Sequence, residues 1–519
     1  MQQADPNLIK EALKEKNVQL EVSDQDLQHL RSNQPFILIA NTAMSQFDHL
    51  ALMYVMSQSG QPYRIVSRKK TISKSFGDVY LPLKYNILKV NDYLNNIYKH
   101  LRNCRDRGVS VCLQINFSDT SLDNLLRQQF FKGLAKVLRK VEMPIVPVRL
   151  EAPPGGPFLR NSGPVLMRVR IGAPISPEEQ QKFPKPSVFK RYLQSRIYCL
   201  GSGLKLRKVY FKNFLQPSAN EEPLAAPMPN EAIAEEIEKL KYENLVATQG
   251  DYDIFVARAR EIPNALEEIG RLRELTFRSV GEGTGKARDL DEFDIYYRQL
   301  ILWNRVDQRI AGGYRMGLGD EIFGQYGPEG FYISSLFKIK PCFYPVMPKS
   351  VELGRSYIVP EYQKQRLPLF LLWKGILYFL LKNPHYRYLY GPVSISKFYS
   401  DISRSLIVSF IRKYYYNEEL ARCLKPRKPF RFRSEKVDIE LLTDSLSDNL
   451  KGLDNLIEDI EPDHIRLPVL VRQYIKLNAR FISFNVDPNF SDVLDGFIIL
   501  DLNDVPLSMI EALKRESQD

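Results

Sequence analysis

Cysteine and histidine are both scarce in this chain, with five of each among 519 residues. Cys104, Cys112, Cys199, Cys342 and Cys423 stand singly, without a CxxC pair or a histidine at ligand spacing. Neither a disulfide framework nor a zinc site is expected from such spacing, and no metal is assigned. Long apolar runs are missing too. The longest, LPLFLLWKGILYFLL at 367–381, is broken by Lys374 and Gly375 and falls short of the roughly 18 apolar residues a membrane span requires. The opening MQQADPNLIKEALKEK lacks the basic and then apolar layout of a signal peptide, so a cytoplasmic location is expected.

Positive charge is abundant. A net charge of +12 predicts an anionic partner: nucleic acid, anionic lipid or an acidic protein. The densest basic tract, 411–436, interleaves aromatic residues with Arg and Lys, a pattern that can bind single-stranded nucleic acid. No RNA-binding or helix-turn-helix pattern accompanies it, so it reads as a solvated helix end followed by a strand alternating Phe430 and Phe432 with Arg431 and Arg433. Nucleic acid is not an expected partner.

The length predicts two cores. Apolar strand-like runs (PFILIA, YRIVS, VSVCLQINF, MPIVPVRL, VLMRVRIGAPI) alternate with helical patterns over the first part, which predicts a layered α/β domain over 1–215. The Pro, Ala and Glu-rich QPSANEEPLAAPMPN, 216–230, reads as a linker. Residues 231–519 predict a second α/β or α+β domain with more antiparallel neighbours.

Four segments of that second part are dense in charge and glycine: 267–297, containing LREL, GEGTG and DEFD; 309–319, RIAGGYRMGLG; 351–376, VELGRSYIVPEYQKQRLPLFLLWKGI; and 386–400, YRYLYGPVSISKFYS. In this order they resemble the GNAT-superfamily N-acyltransferases that build bacterial ornithine and glycine lipids, relatives of the acyl-homoserine-lactone synthases, over roughly 231–508. The resemblance implies a GNAT-like mixed sheet flanked by helices, in which two central strands part to admit the pantetheine arm of an acyl donor. It implies that main-chain N–H groups at Leu353, Gly354 and Arg355 hold the thioester oxygen, with Gln363 and Lys364 also on the donor. Glu352 and Glu282 are the candidates for removing the amine proton. Arg273, Arg278, Arg315 and Arg355, with Ser356, are candidates for gripping a substrate carboxylate, while the alternative for each Arg is to pair with an acid so that both can be buried. Asp289, Asp291 and Asp294 read as loop-shaping residues. Gln299 stands where the family pattern leads one to expect His.

The resemblance further implies an amino-acid acceptor and, as donor, the 4′-phosphopantetheine thioester of acyl carrier protein or acyl-CoA, with no tightly bound cofactor. The place of a glycine-bearing pyrophosphate loop reads PEYQKQRLPLF, which fits acyl carrier protein, whose acidic surface the excess of Lys and Arg would attract. The expected activity is transfer of a fatty or 3-hydroxy-fatty acyl group to an amino-acid amine, peripherally at the anionic inner face of the cytoplasmic membrane. The apolar run at 367–381 reads as a core helix and also as a lining for an acyl chain.

The first part, over 36–175, resembles the glycerolipid O-acyltransferases of the lysophosphatidic-acid type through Asn41 and Asp48 in NTAMSQFDHL, PIVPV at 144–148 and the following VRIGAPI. That family takes the hydroxyl proton with a His oriented by the Asp. Here Thr42 fills the place, and a hydroxyl offers no basic nitrogen. The phosphate-binding motif is replaced by NFSDTSLDN at 116–124. Asn41, Thr42 and Asp48 therefore read as a degenerate site, and His49, one helical position beyond Asp48, would point about 100° away. The competing expectations are a bifunctional N- and O-acyltransferase and a catalytically silent lipid-binding protein.

Overall fold

The computed structural model describes residues 6–506 apart from 33, 44–46, 68–78, 83–89, 116–123, 152–164, 184, 202–221, 364, 366, 433–436 and 488–492. Their contacts divide the mixed α/β chain into two compact units: 1–205 with 401–406 and 433–466, and 206–400 with 407–432 and 467–519.

The first unit is built on seven strands: β1 (Val18–Glu21), β2 (Ile37–Asn41), β3 (Tyr63–Ser67), β4 (Tyr80–Pro82), β5 (Ser110–Ile115), β6 (Ile145–Glu151) and β7 (Val165–Ile171). They lie in the order β1-β7-β6-β2-β5-β3-β4. All neighbours are parallel except β6 and β7. Every residue of β2 is buried, which is why ILIA reads as an unbroken apolar run rather than an alternating one. The helix Val90–Asp106 was not expected, because Asn and polar residues dilute its apolar period.

Helices Ile439–Leu446 and Leu450–Ile460 belong to this first unit, whereas the sequence reading assigned them to 231–519. Buried charge holds them. Arg170 pairs with Asp26 at 2.9 Å and donates to the carbonyls of Asp459 and Glu461. Asp459 Oδ2 in turn accepts from Ala173 N at 2.8 Å. Such pairs join positions hundreds of residues apart and leave no local pattern.

The second unit carries eight strands in the order β16-β17-β14-β13-β11-β10-β9-β8. They are β8 (Leu245–Gln249), β9 (Tyr252–Arg258), β10 (Arg298–Asn304), β11 (Arg309–Leu318), β13 (Ser350–Ile358), β14 (Tyr388–Ile395), β16 (Arg480–Asp487) and β17 (Val493–Asp501); β12 (Phe337–Ile339) and β15 (Leu424–Pro426) form a separate ribbon. Only β13 and β14 are parallel within the large sheet. Residues 430–432 are not a strand; the neighbouring β15 takes the pairing instead.

That ribbon overturns one expectation about cysteine. Cys342 and Cys423, 81 residues apart, form a disulfide with Cα atoms 5.6 Å apart. Pairing of Ile339 with Leu424, and the bond from Lys340 N to Cys423 O, bring them together; spacing in the sequence could not.

Residues of the expected linker are also pinned. Glu222 N and Ala225 N donate to the carbonyls of Gly285 and Ala287, and Met228 N donates to Glu268.

Candidate functional site

The site grows from one departure in the second unit's sheet. β13 and β14 pair only through Ser350↔Tyr388, Val351↔Leu389 and Glu352↔Tyr390. Beyond Leu353 and Gly391 the two strands part. Gly391 sits at the fork: a Cβ there would stand 2.0 Å from Leu353 O. Gly391→Ala is therefore expected to force the strands apart early, at a cost of about 1–3 kcal/mol, the usual range for overpacking. Thermal unfolding of the purified variant measures it.

A bulge deepens the fork. The β11–β13 register shifts between Gly313 and Arg315, and Arg355 adopts φ +50°, a left-handed conformation unusual for a residue with a side chain. Two residues of β13 thus stand opposite one of β11, and the peptide groups around Arg355 leave the ladder. Gly354 has open space where a Cβ would be, so the floor there is bare main chain.

The fork opens into a cleft of about 320 Å³, lined by Leu353, Gly354, Arg355 and Ser356 on one side and Pro392, Val393 and Ser394 on the other. Glu282, Tyr332, Asp487 and Asp495 line it as well. Ser394 Oγ donates to Asp495 at 2.9 Å, and the Tyr332 hydroxyl donates to Asp487 at 3.3 Å. Burial, reinforced by the charge of Asp487, pushes the Asp495 carboxyl up to about 8. Burial likewise pushes Glu282 up to about 7 against the pull of Lys397.

Glu282 is held in place by its loop. Glu274, at the end of the helix Pro263–Ser279, is fully buried. Its carboxylate accepts from Thr284 N, Thr284 Oγ1 and Gly285 N at 2.7 to 3.0 Å, and from Arg278 Nε at 2.7 Å. The GEGTG segment wraps this carboxylate so tightly that a Cβ on Gly283 would meet Arg278 Cγ at 2.5 Å.

The expected site residues are sorted by this geometry. Glu282, Leu353, Gly354, Arg355 and Ser356 line the cleft. Glu352 does not. Its side chain is buried away from the cleft, where Oε2 accepts from the Tyr297 hydroxyl at 2.5 Å and Tyr332 N at 3.2 Å, while Oε1 accepts from Ile333 N at 2.8 Å. Burial raises its carboxyl to about 7, but its contacts tie the Tyr297 hydroxyl to the main chain at Tyr332 and Ile333, and strand alternation is what sends it to the other side.

Arg273 and Arg315 are not in the cleft either. Arg273 pairs with Asp294 at 2.9 Å and donates to Gln299 at 2.7 Å; Arg315 pairs with Asp291 at 2.5 Å and Asp294 at 3.1 Å. Arg278 is spent on Glu274 and the Lys286 carbonyl. The pairing alternative thus holds for these three. Arg355 reaches Asp289 at 2.9 Å and Asp291 at 3.3 Å from the cleft wall. Asp291 and Asp294 do shape their loop, capping the short helical turn Glu292–Ile295. Gln299 is buried and bridges Arg273 to Asp294, so the place expected to hold His is structural. Gln363 donates to Ile358 O at 2.9 Å, outside the cleft lining; Lys364 lies outside the described residues.

Asp487, Asp495, Tyr332 and Ser394 were not singled out from the sequence. The available signal was two aspartates inside otherwise apolar strands, in FNVD and VLDGFIIL.

In the first unit, Asn41 is buried and bridges β6, accepting from Leu150 N at 2.7 Å and donating to Leu150 O at 2.9 Å. Asp48 accepts from Ala43 N at 3.0 Å and from Gln114 at 2.6 Å. A side-chain amide meets the carboxylate that in the resembled family orients a His. Of the replaced phosphate motif, 116–123 lie outside the described residues.

Part of this chain is similar in sequence to known acyltransferases. Residues 272–373 match the acetyltransferase (GNAT) domain family. A glycine N(alpha)-acyltransferase of Phocaeicola vulgatus is 31% identical over 302 residues, covering 55% of this chain and 90% of that protein. Another protein of that name, from Bacteroides thetaiotaomicron, is 28% identical over 302 residues, covering 55% and 87%. Two solved structures show weaker likeness. The 1-acyl-sn-glycerophosphate acyltransferase PlsC of Thermotoga maritima is 14% identical with a TM-score of 0.28, covering 39% of this chain and 78% of that one. The CoA-dependent acyl-homoserine lactone synthase BjaI is 16% identical with a TM-score of 0.21, covering 43% and 99%.

Proposed function

Since this chain belongs to the glycine N(alpha)-acyltransferase family of GNAT-domain acyltransferases, we propose that it moves a fatty or 3-hydroxy-fatty acyl group from acyl carrier protein to the amine of an amino acid, glycine foremost. The product would be a single-chain aminolipid made at the inner face of the cytoplasmic membrane. The observation that carries this reading is the parting of β13 from β14, with bare main chain on one wall and the carboxylates of Glu282, Asp487 and Asp495 also on the lining.

In this reading the pantetheine arm lies in the fork and the thioester oxygen accepts from main-chain N–H groups near Leu353 to Arg355, freed by the bulge. Glu282 takes a proton from the substrate ammonium. The amine then attacks the thioester carbon, forming a C–N bond. Glu282 passes that first proton to solvent; as the intermediate collapses and the C–S bond breaks, it takes the second proton shed by the new C–N nitrogen and delivers it to the departing sulfur. A carboxyl near 7 suits both transfers at neutral pH. Donor choice follows charge: the net +12 favours an acidic carrier, and the turn Pro360–Tyr362 that precedes the apolar helix has no glycine. Among the described residues no helix is long and apolar enough to cross a membrane, so attachment would be electrostatic and peripheral.

We assign no second transfer to the first unit. Thr42 offers no base, and Asp48 is engaged by Gln114.

The test is expression in a host that makes no aminolipids, followed by mass spectrometry of the lipid extract. A new amide-linked monoacyl amino acid, absent with Glu282→Gln, is expected. No amide lipid would favour a silent lipid-binding protein, and a product with an added ester-linked chain would restore the bifunctional reading.

A further inference from the structure

The second unit contains an apolar cavity that the reaction chemistry does not use. It has a volume of about 550 Å³ and is walled by Trp373, Ile376, Leu377, Leu380, Leu389 and Leu500. Beside the indole N–H of Trp373, the polar side chains on its lining are Arg387, Asn503 and Tyr386. Arg387 is occupied by Asp501 at 2.6 Å. Tyr386 is occupied by Asp320 at 2.5 Å. With Arg387 and Tyr386 engaged by carboxylates, the cavity has little charge to offer an amino acid or a phosphate, and its size lies within the range of about 300–1,000 Å³ typical of small-molecule sites.

Its position narrows the choice of occupant. Tyr474 lines the cleft, Trp373 lines the cavity, and their rings stand 5.0 Å apart. The Tyr314 hydroxyl, also on the cleft side, sits among Ser356, Tyr474 and Trp373. The two spaces therefore share one aromatic partition. The helix Leu367–Lys382 supplies the cavity wall, and it is more apolar than burial alone demands: Leu381, at the cavity, is 60% exposed. Leu381 thus continues the cavity's apolar lining out to its mouth.

We propose that this cavity holds the distal part of the acyl chain, which leaves the cleft beside the Tyr474–Trp373 partition while the thioester stays in the fork. The proposal rests on the acyl-transfer reading and adds to it a physical basis for selecting long chains. Each methylene that enters the cavity leaves water, so affinity rises with chain length until the space is filled.

Trp373 provides a direct probe, because the chain has only one other tryptophan, Trp303. In Trp303→Phe protein, titration with cis-parinaric acid should give energy transfer from Trp373 to the polyene. Narrowing the cavity with Leu377→Phe and Leu381→Phe should weaken that binding about tenfold. The same variant should lose about tenfold in turnover with a palmitoyl donor and stay within about twofold of the parent with an octanoyl donor. Leu381→Arg, at an exposed position that does not threaten folding, places a charge at the mouth and should act in the same direction.

Equal parinarate binding in parent, narrowed and Leu381→Arg proteins would overturn the proposal, as would unchanged chain-length preference. If no amide forms with any donor while parinarate binding still weakens in the narrowed protein, the cavity stands as a fatty-acyl site and the transfer reading fails.

Discussion

Replacing Glu282 with Gln is expected to lower amide formation by about 10²–10⁴-fold, the usual worth of a positioned general base. The pH profile distinguishes this from a packing effect. Glu282 titrates near 7 because burial opposes its charge, so the parent rate should rise as pH passes through about 7 and the base is freed. In Glu282→Gln that inflection should vanish, leaving only the shallower rise caused by titration of the amine itself. Stability should move the other way. A carboxyl whose folded pKa is raised from 4.5 to about 7 gives its full stabilisation below the unfolded value and loses it as pH rises through the folded one. Glu282→Gln should therefore melt higher than the parent above pH 7 and lose that advantage in acid. A variant that is slower with an unchanged pH inflection would move the base to Asp495.

Asp294→Ala should be the most damaging single change to the fold, at about 3–5 kcal/mol, because it strips a buried carboxylate from two buried guanidinia. Arg273 and Arg315 have fully buried side chains, and Asp294 joins them at 2.9 Å and 3.1 Å. Burial pushes the Asp294 carboxyl up, but the pull of the two arginines exceeds it and holds the group well below the usual carboxylate range. Its contribution is thus complete at neutral pH and is lost as pH falls below about 4. A melting temperature lower by about 10 °C at neutral pH is expected, with the deficit shrinking in acid. Adding Arg273→Met and Arg315→Met to Asp294→Ala should recover part of the loss, since an apolar core costs less than unpaired charge.

This network explains what the sequence could and could not convey. Strands such as ILIAN and RIAGGYRMGL, and the long apolar helix, were legible because their periodicity reports burial directly. The ordered motifs from LREL to GPVSIS carried the acyltransferase assignment. Motif density, however, cannot separate a charge that meets substrate from one that meets its neighbour. Arg273, Arg278 and Arg315 belong to the second kind: Arg278 meets Glu274 one helical turn away, whereas Arg273 and Arg315 meet at Asp294 only in the folded chain. Glu352 was misread for a related reason: it lies on the right strand and faces the wrong side. Asp487 and Asp495 escaped notice because their importance comes from β17 lying beside β14 with β16 beyond it, a long-range arrangement with no local trace. The disulfide between Cys342 and Cys423 was hidden in the same manner.

The order in which the two units draw on the chain constrains how the protein can be made. The first unit is assembled from 1–205, 401–406 and 433–466, so its last helix, ending at Ile460, leaves the ribosome about 290 residues after its sheet, which ends at Ile171. At about 5–20 residues per second that is a wait of tens of seconds. Over that interval Arg170 and Arg196 lack the Asp459 carboxylate and carbonyl that engage them in the finished protein. A nascent sheet left incomplete for that time is a natural client for a chaperone, and a gene fragment ending in the proline-rich stretch after residue 215 would never receive the helices that finish it.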